Sequence, residues 1–289
     1  MAIILISTTD MRGPRGPEFA RLLDSIERNA SASLPVRAYI LLQNCTQDEL
    51  ERVRAAAPAC CALAAVPGRL SISAARNRLI ETVLSEAAVG PDDVVGFPDD
   101  DCWLPDAVLA RLATVFSERP DLDVLICRVS LDPDPRPFDA ASVAPASARQ
   151  IVRVSTSNNM FFRGSLIGRV GPFDPELGLG TPNGGGEDTD YVIRAFLRAE
   201  GAGIIDRALV GHPEPDKDCA AKYFRGALVV LARHARLRPA LMREFLRKPL
   251  VGLYFVGRGK LSWSAYRAAL AEGGRSFLKS RPTARAASA

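Results

Sequence analysis

The run Val94-Val95-Gly96-Phe97-Pro98 leads straight into three consecutive carboxylates, Asp99, Asp100 and Asp101. A short apolar run bounded by turn residues reads as a buried strand. After Pro105 and Asp106, residues Val108, Leu109, Leu112, Val115 and Phe116 fall at helical spacing. The three Asp therefore sit on the turn that leaves the carboxyl end of a strand, which is where open α/β sheets bind their ligands. Carboxylates crowded together raise one another's pKa. A divalent cation removes that cost, and carboxylate oxygens suit Mg²⁺ or Mn²⁺. The plainer alternative is a solvated acidic turn that caps the helix.

The flanking pattern repeats the same unit. Ile3 to Ile6 reads as a strand with Thr8-Thr9-Asp10 at its end. Pro17 suits a first helical position, and Phe19, Leu22, Leu23 and Ile26 form one helix face. Val36 to Leu42 is a second strand ending in Gln43-Asn44-Cys45, and Thr46 with Glu49 has capping-box spacing. Pro67 to Ser71 is a loop. A third helix begins at Ser73, with Arg76 and Asn77 on its first turn and Leu79, Ile80, Val83 and Leu84 on its apolar face. This βαβαβ order predicts a parallel sheet with its loops gathered at one edge.

The second half reads differently. Leu122 to Val129 is a strand, and Asp132 to Ala148 reads as a long loop. Ile151 to Val154 and Asn158 to Arg163 read as strands. Gly178 to Gly186 holds five Gly and reads as a mobile loop. Glu187 then opens a helix that Gly201 closes, and Gly203 to Asp206 is a short strand with His212 beyond it. Acidic residues in a first helical turn suit the helix dipole. Glu187 and Asp188 also follow a glycine-rich loop, as in catalytic lids, and a carboxylate so placed can act as a general base.

In order and spacing these pieces resemble the family 2 glycosyltransferases, from Met1 to about Arg238. The pieces are Thr8-Thr9-Asp10, Gln43-Asn44-Cys45-Thr46, the Gly68 to Asn77 stretch, Asp99-Asp100-Asp101 with Pro105, Asn158 to Arg163, Gly171-Pro172-Phe173-Asp174, and Gly186-Glu187-Asp188-Thr189-Asp190. The resemblance implies the GT-A fold: α/β, Rossmann-like, with a mostly parallel central sheet flanked by helices. It also implies transfer of a sugar from a nucleotide-diphosphate donor with inversion, assisted by Mg²⁺ or Mn²⁺. It makes Asp188 the base and has Glu187 hold the acceptor. Thr8, Thr9, Asp10, Gln43, Asn44, Arg76, Asp99 and Asp100 become donor-binding residues. Asp100, Asp101 and His212 become metal ligands, with Asp100 first. Trp103, Gly185 and Gly186 become acceptor contacts. Two positions depart from the family. Pro98 stands where many members have Asp, and Gln43-Asn44 stands where many have an Asp that holds the base. An amide both donates and accepts, so it suits a uracil edge, and a UDP-sugar is favoured. The implied acceptor is a glycan or lipid-linked hydroxyl in cell-surface polysaccharide synthesis. A nucleotidyltransferase-like enzyme and a non-catalytic sugar-binding protein are the alternatives.

Charge divides the chain. Residues 1–216 hold 21 Lys and Arg against 30 Asp and Glu, whereas residues 217–289 hold 16 against 3. The expected organisation is a catalytic domain over 1–216, with a nucleotide-binding half (1–105) and an acceptor-side half (106–216). A helical basic extension follows over 217–280, with a disordered tail over 281–289. Leu250 to Val256, edged by Arg and Lys and followed by Trp263 and Tyr266, has the composition of an interfacial helix. An anionic membrane surface is therefore an expected partner. Nucleic acid is not, because no recognition motif accompanies the charge. Without a long apolar run, a secretory leader pattern or paired Cys spacing, the expected location is cytoplasmic, peripheral on the inner face of the plasma membrane.

Overall fold

The computed structural model describes residues 1–31, 33–213 and 219–280, so the expected disordered tail, 281–289, lies outside the described residues. Its strands are β1 (Ile3–Asp10), β2 (Val36–Gln43), β3 (Cys61–Ala65), β4 (Val94–Gly96), β5 (Leu122–Ser130), β6 (Ala144–Pro145), β7 (Met160–Arg163) and β8 (Gly201–Gly211). Its helices are α1 (Gly16–Asn29), α2 (Gln47–Ala56), α3 (Ile72–Ser85), α4 (Val108–Glu118), α5 (Ala148–Val154), α6 (Gly164–Val170), α7 (Glu187–Arg198), α8 (Cys219–Lys222), α9 (Phe224–His234), α10 (Pro239–Gly257) and α11 (Trp263–Lys279).

The strands form one sheet in the order β3-β2-β1-β4-β7-β5-β8-β6. β1 to β4 are parallel, β7 runs against both its neighbours, and β8 is parallel to β5. Two reversals restore direction, so β1, β2, β4, β5 and β8 all end at the same edge. Strand side chains alternate between faces. Ile3 and Leu5 thus enter the layer of α1 and α4 with Leu22, Ile26, Leu112 and Phe116. Ile4 and Ile6 enter the opposite layer with Leu79, Ile80, Tyr191 and Ile193 of α3 and α7. This is a helix–sheet–helix sandwich.

Several sequence expectations need correction. Ile151 to Val154 is not a strand but the end of helix α5, which Ser147 and Gln150 start with a reciprocal capping box. Gly201 does not close α7; it opens β8, pressed so near Asp121 that an added Cβ would lie 2.4 Å from its carbonyl oxygen. β8 itself runs to Gly211, well beyond Asp206. β3, α6 and the edge strand β6 carry no sequence signal recognised above. The charge boundary at 216 is not a packing boundary: Val229, Val230 and Leu231 of α9 belong to the main core. α11 then covers α9 through Phe224, Leu228, Tyr266 and Ala269, with Phe245, Phe255 and Val256 of α10 packed against this cluster. No helix of the described residues is long and apolar enough to cross a membrane.

Candidate active site

The shared carboxyl edge of the strands opens into a cleft of about 840 Å³. Thr8, Asp10, Gln43, Arg76, Asp99, Asp100, Asp101, Gly185, Gly186, Glu187, Asp188 and His212 line it. Thr9, Asn44 and Trp103 do not.

Asp99, Asp101 and His212 form a group whose ligand atoms lie within 4.8 Å of one another. A backbone stitch makes this group. Trp103 N–H donates to the Gly211 carbonyl at 3.0 Å, and Gly211 N–H returns a bond at 2.8 Å. The turn after the Asp cluster is thereby pinned to the end of β8, which delivers His212. The Trp103 ring covers Gly211 so closely that an added Cβ would meet it at 2.0 Å, and the Arg21 guanidinium lies over the ring at 3.8 Å. Trp103 is therefore a packing residue outside the cleft, not the acceptor contact expected from sequence.

The donor set suits a hard divalent ion. Asp101 Oδ1 is buried without a hydrogen bond, 3.4 Å from His212 Nε2. His212 Nδ1 donates to the Pro213 carbonyl at 2.5 Å, and that tautomer leaves the Nε2 lone pair facing the carboxylates. Contact with Asp101 raises the His212 pKa against the effect of burial. Burial alone would raise Asp101, but His212 and Arg15 outweigh it and hold the group below its ordinary value. Burial raises Asp99, and Arg76 offsets this only in part. Asp100, expected to lead the metal set, stands outside it. It accepts from Thr9 Oγ1 at 2.7 Å and from Arg15 at 2.8 Å. The same half-exposed Arg15 reaches Asp101 at 2.9 Å.

Arg76 joins the two halves of the cleft. It is 2% exposed. One guanidinium nitrogen donates to Asp99 at 2.8 Å and another to Asp188 at 2.7 Å. Phe173 lies beneath it at 5.3 Å, stacked at 4.1 Å on Tyr191. Burial disfavours its charge, but Asp188, Asp99 and Glu187 together raise its pKa. Asp188 also accepts from the Ser157 backbone N–H at 3.0 Å.

The glycine loop holds Glu187 and Asp188 at the head of α7. It is pinned rather than free, because Ile72 N–H donates to the Leu179 carbonyl at 3.1 Å. Gly186 adopts φ +94°, and a Cβ there would meet the Gly226 backbone of α9 at 2.9 Å. The helix dipole favours acidic charge by about 0.3–1 kcal/mol. Desolvation overrides this at Glu187, whose pKa is pushed up to about 8, with Asp188 adding to the shift. Asp190 belongs to a different network, buried between His234 at 2.7 Å and Arg194 at 2.7 Å.

The raised Glu187 pKa has a measurable consequence. The carboxyl is protonated in the folded state up to about pH 8, against 4.5 for an ordinary Glu. Its stability contribution is complete below pH 4.5 and is lost as pH rises through 8. Glu187→Gln removes that loss. In metal-free buffer the variant melts above wild type at pH 9, by about 2–4 °C per kcal/mol regained, and equals it near pH 4.5. Thermal unfolding across this range checks the result, and a difference independent of pH contradicts it.

Beside β1, the Gln43 side chain is held from two sides. Its amide donates to Thr8 Oγ1 at 2.9 Å and accepts from the Leu70 N–H at 2.7 Å. These two bonds fix the amide where it lines the cleft, and each side of it keeps one further bonding position. Asn44, at φ +51°, turns back to donate to Asp10 at 2.8 Å, which is the largest cause holding Asp10 below its ordinary pKa. Asp10 itself faces the cleft. Sequence reasoning missed Arg15, Ser157, Lys222 and Tyr223. The first lies in a loop without pattern, and the last two line the cleft from the end of α8 and the turn before α9, a stretch read only as part of the basic tail.

No family model matches the sequence, and no curated protein matches it significantly. Solved structures do match. Residues 1–349 of S. aureus TarS, in complex with UDP-GlcNAc, superpose with TM-score 0.66 at 16% identity, covering 96% of this chain and 82% of that one. The mannosyltransferase PcManGT from Pyrobaculum calidifontis, in complex with GDP-Man and Mn²⁺, gives 0.59 at 17% identity, covering 96% and 87%. GalNAc-T7 with UDP, GalNAc and Mn²⁺ gives 0.57 at 11% identity, covering 98% and 59%. The chain has the GT-A fold that these glycosyltransferases share.

Proposed function

We propose that this chain is an inverting, metal-dependent glycosyltransferase. It moves a sugar from a nucleotide-diphosphate donor, with UDP-sugars favoured, to a hydroxyl of a glycan or lipid-linked acceptor in cell-surface polysaccharide synthesis. One observation carries the reading. A single cleft holds the Asp99–Asp101–His212 group and the Glu187–Asp188 pair, tied together through buried Arg76. The nucleotide sugars and Mn²⁺ bound by the structural neighbours agree with it.

Asp99, Asp101 and His212 would hold Mn²⁺ or Mg²⁺, which supplies charge neutralisation for the departing diphosphate. Asp10 accepts the N3–H of a uracil ring, and Thr8 lies beside it at the end of β1. Asp188 takes the proton of the acceptor hydroxyl as that oxygen attacks the anomeric carbon. The bond from that carbon to the phosphate oxygen breaks on the opposite side, and the diphosphate leaves with its electron pair. Arg76 and the Ser157 N–H fix the Asp188 carboxylate, and each of its oxygens keeps a lone pair for the proton. Glu187, neutral at pH 7 with a pKa of about 8, donates a hydrogen bond to an acceptor oxygen.

A thermal-shift screen of UDP-, dTDP-, GDP- and ADP-sugars with Mn²⁺ tests the donor class. A ligand that binds only the folded state stabilises it by mass action, by about 2.7 kcal/mol at 100 times its Kd, and so raises the melting temperature. The reading expects the largest shift from a UDP-sugar. No shift from any nucleotide sugar contradicts it.

A further inference from the structure

We infer that the outer face of α10 seats this protein on an anionic lipid surface, lying in the interface without crossing the bilayer. Leu246, Leu250, Leu253 and Tyr254 are 63%, 65%, 42% and 60% exposed. Their spacing of i, i+4, i+7 and i+8 puts them on one stripe of the helix. Four large apolar side chains on one solvent-facing stripe mark an interaction surface, whereas single exposed ones do not. The apolar run named from sequence divides here. Gly252 packs against Phe224 and Tyr266, and Phe255 meets Phe224 at 6.5 Å, so only Leu250, Leu253 and Tyr254 of that run face out. Leu246 joins them from upstream. Trp263, 58% exposed, opens the next helix.

Charge selects the occupant. Arg243, Arg247 and Arg258 flank the stripe, and the Arg258 guanidinium lies over the Tyr254 ring at 5.9 Å. The only acid of α10, Glu244, is buried and already paired with Arg153 and Arg247. Lys248 is turned inward beside Phe224, where burial brings its pKa down to about 8, so it adds nothing to the outer face. Two copies of this chain meeting through the stripe would bring like charges together around it. Anionic headgroups neutralise Arg243 and Arg258 while the Leu and Tyr side chains enter the acyl boundary. α10 packs on α9, whose preceding residue Tyr223 lines the cleft. A lipid-seated α10 therefore keeps the cleft wall close to the membrane.

Co-sedimentation of the full chain with vesicles tests this. One set mixes phosphatidylglycerol with phosphatidylcholine, and the other is phosphatidylcholine alone. Wild type is expected to bind the anionic set at low salt and to release as salt rises, since exposed charges are screened over about 10 Å at 0.1 M ionic strength. Leu250→Ser with Tyr254→Ser, both exposed and so compatible with folding, is expected to lose at least tenfold in partitioning. Arg243→Gln with Arg258→Gln is expected to lose the preference for anionic vesicles. The proposal is overturned if wild type ignores anionic vesicles, binds both sets equally, or binds as well with the serine pair. It is equally overturned if sedimentation shows a dimer that the serine pair abolishes while vesicles stay unbound. Melting temperature and nucleotide-sugar binding of the variants, unchanged from wild type, separate a lost surface from a lost fold.

Discussion

Asp188→Asn lowers kcat by about 10²–10⁴-fold, the usual cost of removing a general base, and leaves donor affinity close to wild type. The amide keeps the volume of the carboxylate and one acceptor oxygen for Arg76, but it cannot take the acceptor proton. The neighbouring carboxyl does not rescue the reaction at neutral pH, because Glu187 holds its own proton up to about pH 8. The readout is steady-state kinetics with the cognate pair, together with donor titration. A loss confined to KM would make Asp188 a binding residue, and near-wild-type kcat would remove it from the mechanism.

Asp101→Asn weakens Mn²⁺ binding by more than about 100-fold, above the 10–100-fold cost of losing an outer-shell partner of a metal ligand. Among the described residues of the cleft, Asp101 Oδ1 is the carboxylate oxygen buried without a hydrogen bond, and only its other oxygen serves Arg15, so its loss takes away an unoccupied ligand atom. Asp100→Asn has the smaller effect, since that carboxylate serves Thr9 and Arg15. Binding also weakens as pH falls through the raised pKa of His212, because proton and metal compete for Nε2. Mn²⁺ titration of the two variants, read by paramagnetic resonance and repeated across pH, checks both parts. A larger loss in Asp100→Asn restores the ligand order expected from sequence.

The first half of the fold was legible because its elements repeat a strong period. Ile3 to Ile6 is a continuous buried run and Val36 to Leu42 a mostly buried one; the first is followed by a helix with a clear apolar face and the second by a Thr46–Glu49 capping box. β3 was hidden because Cys61-Ala62-Leu63-Ala64-Ala65 is weak strand sequence that only an edge position beside β2 sustains. Ile151 to Val154 misled because four residues satisfy both periods, and the decisive signal was the Ser147–Gln150 cap before them. The glycine loop looked mobile by composition. Its glycines instead permit close packing, at Gly186 against Gly226 and at Gly178, where an added Cβ would meet Ile72 at 2.5 Å. The carboxylates of the site could be read from their strand ends. Their division of labour could not, because Arg15, Thr9 and the Trp103–Gly211 stitch decide which of them is free, and these are contacts across 85, 91 and 108 residues of chain.

Calorimetric titration of a UDP-sugar into the wild-type protein, with Mn²⁺ and again with EDTA, tests the central claim most directly. The account predicts saturable one-to-one binding with the metal and at least a tenfold weaker affinity without it. Equal affinity in the two titrations, or no binding of any nucleotide sugar with Mn²⁺ present, would contradict it.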